Sequence, residues 1–275
     1  MNAHFGRPTR HPDLARIADP SLLRELSYVD GKWVAGHDRE AIEVDDPATG
    51  QSIAWVVRLD AAETGEAIDA AHAAFPAWSG LLPQQRAAVL RRWYELIVAA
   101  RQDLALLVTL EQGKPLAEAL GEIDYAASFV EWYAEEAKRL VAEAAPGHLP
   151  GAESLVRRVP AGVAGIVTPW NFPSAMLTRK AAAALAAGCT VVAHPSSCTP
   201  LSALALAELA DRAGLPAGVF NVVTGDAEKI VGRLTADPRI RVLSFTGSTG
   251  IGRLIAGQCA ATMKRLVMEL GGHAP

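Results

Sequence analysis

Residues 162–173 read GVAGIVTPWNFP, and this stretch decides the fold. Gly162 to Val167 is a small, apolar run bounded by glycine and proline, the composition of a strand buried on both faces. Pro169 has no N–H to donate and pushes Thr168 towards extended geometry, so the strand stops there. Trp170, Asn171 and Phe172 then occupy a turn at the strand's carboxyl end, and Pro173 opens the next helix. Open α/β sheets place ligands at that end of their strands. Asn171, between two prolines and two aromatics, has a nearly fixed side-chain amide that can donate to an oxygen becoming negative during a reaction. It serves equally well as a cap for the following helix. The stretch alone leaves both roles open.

Beyond it, strand and helix alternate strictly. A helix is expected over 174–187, with Ala181, Ala184 and Leu185 forming a face small enough to pack tightly on a sheet. Gly188 ends it, and CTVVAHP is the next strand. Residues 200–213 make a second helix stopped by Gly214, and GVFNVVTG a third strand. A third helix over 227–235 leads to RVLSFTGS, and a helix over 250–259 leads to a fifth strand over 264–270. Repeated β-α units of this length specify a parallel, right-handed, doubly wound sheet in an α/β fold.

Upstream of this region, 27–58 carries β signals. VDGKWV is a hairpin around Asp30–Gly31, IEVDDPATG ends in a turn, and SIAWVVRL alternates as a strand. From Ala61 the period becomes helical. Ala67, Ala71, Ala74 and Phe75 share a face that ends at Pro76 and Trp78. A second helix carries Val89, Leu90, Trp93, Leu96 and Ile97, and a third over 103–112 stops at Gly113. Pro115, in a first turn, opens a long fourth helix bearing Glu122, Tyr125, Phe129, Trp132 and Tyr133. That aromatic stripe is expected in the core, with the wall of an apolar substrate tunnel as its functional alternative. PGHLPGAE is a turn-rich link, and LVRRVP returns as a strand.

Half of the 275 residues are hydrophobic, a fifth are charged, and the formal net charge is −4. That balance is a soluble globular protein without the basic surface of a nucleic-acid binder. The longest apolar run, 181–193, is too short to span a membrane and is broken by Gly188. Residues 1–20 hold Arg7, Arg10, Arg16 and three prolines without an apolar core, so 1–26 reads as a disordered tail rather than a signal peptide. Cys189, Cys198 and Cys259 have neither metal-ligand spacing nor an even count, as reduced thiols of a cytoplasmic protein would.

The carboxyl ends of the five strands carry the polar residues: Asn171, residues 194–197, Thr224 and Gly225, residues 246–248, and Glu269. Gly247-Ser248-Thr249-Gly250-Ile251-Gly252 joins a strand to a helix, where glycines admit close backbone approach and N–H groups point at an anion. A tight turn explains the same glycines almost as well. Glu269 ends an apolar run, and burial of its carboxyl would suit a general base; a helix cap or salt-bridge partner is the plainer alternative.

From about Ser27 to Pro275 the chain resembles the aldehyde dehydrogenases. TPWNFP, LAAGCTVV, GVFNVVTG, FTGSTGIGR and MELGG occur in that family's order and spacing. EQGKPLAEALGEIDYAASFVEWYAEEAKR and NFPSAMLTRKAAAALAAGC are most similar to its succinate-semialdehyde dehydrogenases. The resemblance implies a cofactor-binding domain over 27–270, divided into hairpin and helices (27–150) and β-α repeats (151–270), with 271–275 beginning a catalytic domain. It implies Asn171 as the oxyanion donor and Glu269 as the base that activates water. It places Thr168, Trp170, His194, Ser197, Gly225, Gly247, Ser248 and Leu270 around NAD or NADP. Arg179 falls where a substrate's distal carboxylate is held, a task suited to a planar guanidinium fork. Lys180 matches a recurrent lysine, structural or near the active site.

Two departures stand out. His194 replaces the family's cofactor-binding lysine, and a neutral imidazole loses most of the charge that would meet a 2′-phosphate; Ser197 stands where NAD-preferring members often have glutamate and favours NADP, so the choice tilts only marginally to NADP. The family's nucleophilic cysteine lies a few dozen residues beyond the Glu269 position, and the sequence ends at Pro275. The expected activity is therefore NAD(P)-dependent oxidation of succinate semialdehyde or a similar aldehyde to the acid, with a catalytically inactive nucleotide-binding remnant as the alternative. The expected partners are a small aldehyde and no nucleic acid or membrane; full-length relatives are homo-oligomeric.

Overall fold

The structure, a computed structural model, describes residues 11–272. β1 (Ser27–Val29) and β2 (Lys32–Val34) form the expected hairpin. Its turn residues Asp30 and Gly31 have φ of 52° and 71°, the left-handed pair that a two-residue hairpin loop demands. β3 (Ala41–Asp45) and β4 (Ser52–Val57) pair separately and antiparallel. Four helices follow: α1 (Ala61–Gly80), α2 (Pro83–Ala99), α3 (Arg101–Gln112) and α4 (Leu116–Ala137). An exposed hairpin of β5 (Glu143–Pro146) and β6 (Glu153–Val156) links them to the repeats.

The repeats run β7 (Val163–Val167), α5 (Pro173–Ala186), β8 (Thr190–His194), α6 (Pro200–Arg212) and β9 (Phe220–Val222). They continue with α7 (Ala227–Ala236), β10 (Ile240–Thr246), α8 (Thr249–Ala260) and β11 (Arg265–Glu269). The main sheet has the order β11-β10-β7-β8-β9-β1-β2. β7 to β11 are parallel, and β1 adds the hairpin antiparallel at one edge through Tyr28 and Val222. The hairpin thus extends the doubly wound sheet instead of merely preceding it. Because β8 and β9 lie on one side of β7 and β10 and β11 on the other, the winding reverses between β7 and β10. A crevice opens at such a switch point, outside the carboxyl ends.

β7 is buried along its whole length. Ala164 and Ile166 face the core beneath α2 to α6, whereas Val163 and Val167 face the smaller core beneath α1, α7 and α8. Trp78 and Trp93 are fully buried, and their indole N–H groups donate to Leu185 O and Leu206 O. The helical layer is therefore tied to α5 and α6, the helices that follow β7 and β8.

Three expectations are corrected. The tail expected over 1–26 is structured from residue 11: Ile17, Leu22, Leu23 and Leu26 are buried, and the backbone of Ala18 and Asp19 donates to the Asp103 carboxylate. Residues 1–10 lie outside the described residues. The first long helix does not end at Pro76 and Trp78 but runs through both to Gly80, because the buried Trp78 anchors its last turn. The aromatic stripe of α4 is only partly core: Glu122 is buried and Tyr133 packs half-buried against the main core, but the other rings do not. Ala119, Ile123, Ala126, Ala127, Val130 and Ala134 face inward, and the small alanines allow close packing on α2 and α5. Tyr125 and Trp132 are exposed, and Phe129 lies 5.5 Å from the Arg179 guanidinium.

Candidate active site

Asn171 sits on the turn between β7 and α5, where its backbone carbonyl accepts from Lys114 Nζ at 2.9 Å. Its side-chain amide has no hydrogen-bond partner among the described residues. The capping role that the sequence left open belongs elsewhere. Phe172 occupies the N-cap of α5 and supplies no side-chain bond. Instead the Glu122 carboxylate, reaching across from α4, accepts from the N–H groups of Ser174 and Ala175 at 2.9 and 3.3 Å. Lys114 pairs with that carboxylate at 2.5 Å and lies 4.0 Å from the centre of the Phe172 ring. The turn is thus held by a buried ion pair while the Asn171 amide stays free to donate. Lys114 was missed in the sequence, where it shows only as the residue between the stop Gly113 and Pro115.

Glu269 closes β11. It accepts from Arg179 Nη1 at 3.1 Å and from Thr246 Oγ1 at 3.0 Å, and its side chain is 43% exposed. The burial that the sequence suggested for this carboxyl is absent, and the salt-bridge alternative is the observed arrangement. α5 begins beside Asn171 and carries Arg179 onto Glu269, so one helix connects the candidate oxyanion donor with the candidate base. Lys180, the next residue, donates to Ser244 Oγ at 2.9 Å. Burial pulls its ammonium down to about 8, opposed by Glu269 and assisted by Arg179. Arg179, Lys180, Ser244 and Glu269 line a cavity of about 950 Å³ against β7, β10 and β11.

The cofactor candidates occupy the same edge. Ser248 is the N-cap of α8 and accepts from Ile251 N at 3.4 Å, leaving the exposed N–H groups of Thr249 and Gly250 at a positive helix end. Those donors fit a pyrophosphate. A Cβ on Gly247 would stand 2.5 Å from the Phe245 ring, and one on Gly252 would meet Leu270, which packs over that first turn. Thr168 N donates to His194 O at 3.2 Å, joining the ends of β7 and β8, and Thr168 Oγ1 is buried without a hydrogen-bond partner among the described residues. Trp170 and Ser197 are exposed at the rim.

Two candidates are less available. His194 is buried, its Nδ1 lies 3.0 Å from Val223 O, and burial pushes its imidazolium form down, so the ring is a neutral plug between strand ends. Gly225 has φ of 152° and bridges Leu59, whose backbone a Cβ there would strike, so packing alone explains this glycine.

The profile of the aldehyde dehydrogenase family matches residues 33–275. The chain belongs to the aldehyde dehydrogenase family. Among aldehyde dehydrogenases, it is 55% identical over 260 residues to a glutarate-semialdehyde dehydrogenase of Pseudomonas aeruginosa. It is 54% identical to an NADP(+) succinate-semialdehyde dehydrogenase of Escherichia coli. Each alignment covers 94% of this chain and 54% of the relative, so the chain spans about half the length of the curated relatives it matches. A crystal structure described as an E. coli NADP dependent enzyme aligns with a TM-score of 0.93 at 54% identity, covering 94% of this chain and 54% of that one. A betaine aldehyde dehydrogenase of Staphylococcus aureus, solved with NAD+, aligns with a TM-score of 0.90 at 29% identity over 94% of this chain and 51% of its own. No helix among the described residues of this family member is long and apolar enough to cross a membrane.

Proposed function

We propose that this chain is the dinucleotide-binding half of an NAD(P)-dependent aldehyde dehydrogenase that oxidises succinate semialdehyde or a similar short aldehyde bearing a carboxylate. The observation that carries this reading is the free Asn171 amide on the same sheet edge as the α8 N-terminus and Glu269. A bound dinucleotide would lie over the Thr249 and Gly250 N–H groups and supply the hydride acceptor. Asn171 would donate to the aldehyde oxygen as it gains charge, and Glu269 would take a proton from water. A substrate carboxylate arriving at Arg179 competes with Glu269 for the guanidinium, which would free that base.

The family reaction also needs a thiolate beside Asn171. Cys189 precedes β8 and Cys259 ends α8, which places both buried thiols at the amino edge of the sheet, opposite Asn171. Cys198 is exposed on the loop after β8. This arrangement favours a second reading, a nucleotide-binding protein without turnover of its own. The purified chain is expected to bind a dinucleotide in calorimetry, yet to produce no reduced cofactor from NADP and succinate semialdehyde. Adding the cysteine-bearing half of a relative should restore turnover if the first reading holds. Turnover by the chain alone would refute the placement of the thiols.

Ser197 supports NADP, since an uncharged residue at the rim does not repel a 2′-phosphate. Ser197→Glu is expected to weaken NADP binding at least about fivefold, a like-charge contact at about 4 Å costing about 1 kcal/mol even at the dielectric of bulk water, with NAD binding little changed. Equal losses for both dinucleotides in titration calorimetry would remove Ser197 from the specificity argument.

A further inference from the structure

The cavity of about 950 Å³ is lined by five cations, Arg157, Arg158, Arg179, Lys180 and Arg265, against a single carboxylate, Glu269. The oxidation proposed above uses Arg179 and Glu269 but gives Lys180 no part. We propose that Lys180 captures small carboxylate-bearing aldehydes as an imine within this cavity, a reaction that needs neither a thiol nor a dinucleotide.

Three observations support it. Lys180 Nζ reaches the cavity with one hydrogen bond among the described residues, to the Ser244 hydroxyl, which can also relay protons. Arg179 uses a single nitrogen on Glu269 and on the Met176 sulfur, so the rest of its fork is open to a substrate carboxylate. The amine itself is partly deprotonated at neutral pH, because burial brings it down to about 8; the charges acting on it are Glu269 on β11 and Arg179 on its own helix. A lysine desolvated beside another cation is a recognised carbonyl nucleophile.

Lys264 provides an internal contrast. It is also buried with a depressed ammonium, but its Nζ donates to both Asp237 O and Ile240 O and it lies outside the cavity lining. Desolvation without access should give no adduct there.

The step balances simply. The Lys180 Nζ lone pair attacks the aldehyde carbon to form a C–N bond and a carbinolamine. The former carbonyl oxygen then leaves as water, taking both protons that the amine held, and a C=N bond remains. Nothing is oxidised or reduced.

Only the choice of aldehyde rests on the function proposed above. The purified chain would be incubated with succinate semialdehyde and cyanoborohydride at pH 7.5, digested, and mapped by mass spectrometry over its six lysines. Trapped imine adds the mass of the aldehyde less one oxygen. Lys180 is expected to carry at least about tenfold more label than Lys32, Lys138 or Lys229, since an amine near 8 has roughly a hundredfold more free base than an ordinary lysine. Propanal, which has no carboxylate for the Arg179 fork to hold, is expected to label Lys180 less than succinate semialdehyde does at equal concentration. Label spread evenly over the surface lysines, or none on Lys180, overturns the proposal. Dinucleotide calorimetry on the same sample reports the cofactor reading separately, so either can fail alone.

Discussion

Glu122→Ala is expected to lower the unfolding free energy by about 3–5 kcal/mol, the range found when one partner of a buried ion pair is removed. The Glu122 side chain is fully buried and that of Lys114 is 9% exposed, so the lysine would be left in a poorly hydrated site without its counter-charge. The first turn of α5 would simultaneously lose its acceptor, since among the described residues the Ser174 and Ala175 N–H groups have only this carboxylate and no cap comes from Phe172. Glu122→Gln keeps an acceptor and much of the volume, and is expected to lose about half as much. Urea denaturation of both variants measures this. A loss below about 1 kcal/mol for the alanine variant would show that water enters and replaces the carboxylate. Because Lys114 also holds the Asn171 carbonyl, Glu122→Ala should weaken dinucleotide binding as well, through a looser Trp170–Asn171 turn.

The same device recurs one helix later. Thr199 at the N-cap of α6 makes no side-chain cap bond. Glu111, from the end of α3, accepts from Leu201 N at 2.7 Å and Ser202 N at 2.8 Å. Two helices that leave the carboxyl edge of the sheet, α5 and α6, thus start on glutamates supplied by the preceding helical layer. That layer is part of the site's construction, which explains why α2 to α4 share one core with the β-α repeats.

Much of this was legible in the residues. Small apolar runs closed by Gly, Pro or Thr located the five parallel strands to within three residues, because a strand buried on both faces tolerates little else. The strand ends named the candidate site for the same reason: polarity there has no structural purpose in the core. What stayed hidden depended on contacts distant in sequence. Pro76 reads as a helix stop, yet the burial of Trp78 under α5 outweighs one lost backbone bond. The rings of α4 read as core, since periodicity gives a face but not which of two faces is buried; the alanine face won because it permits close helix packing. Glu269 reads either as a buried carboxyl or as a cap or salt-bridge partner, and only the fold shows Arg179 and Thr246 beside a half-open side chain. The capping roles of Glu111 and Glu122 stay hidden because no local pattern marks a residue that caps a helix some 50 to 90 positions away.

Stability is expected to fall as pH rises from about 5 to about 8, with Glu111 as the group responsible. Burial is the largest influence on its carboxyl and lifts it from 4.5 to about 8, against the two backbone N–H bonds that favour the anion and with some help from the nearby Glu122 charge. The sign follows from proton linkage. Below pH 4.5 folded and unfolded chains both hold the proton, and Glu111 contributes no pH-dependent difference. Between 4.5 and about 8 the unfolded chain releases it and the folded chain keeps it, so unfolding is progressively favoured. Above about 8 both are ionised and the loss is complete, on the order of 2–5 kcal/mol. Glu111→Gln removes the titration while preserving an acceptor for α6, so its urea midpoint should stay nearly level across this window. The variant should therefore be the more stable protein at pH 9 and close to the parent at pH 5. Parallel midpoint curves for the two proteins would transfer the pH dependence to other groups and show that the α6 cap is ionised throughout.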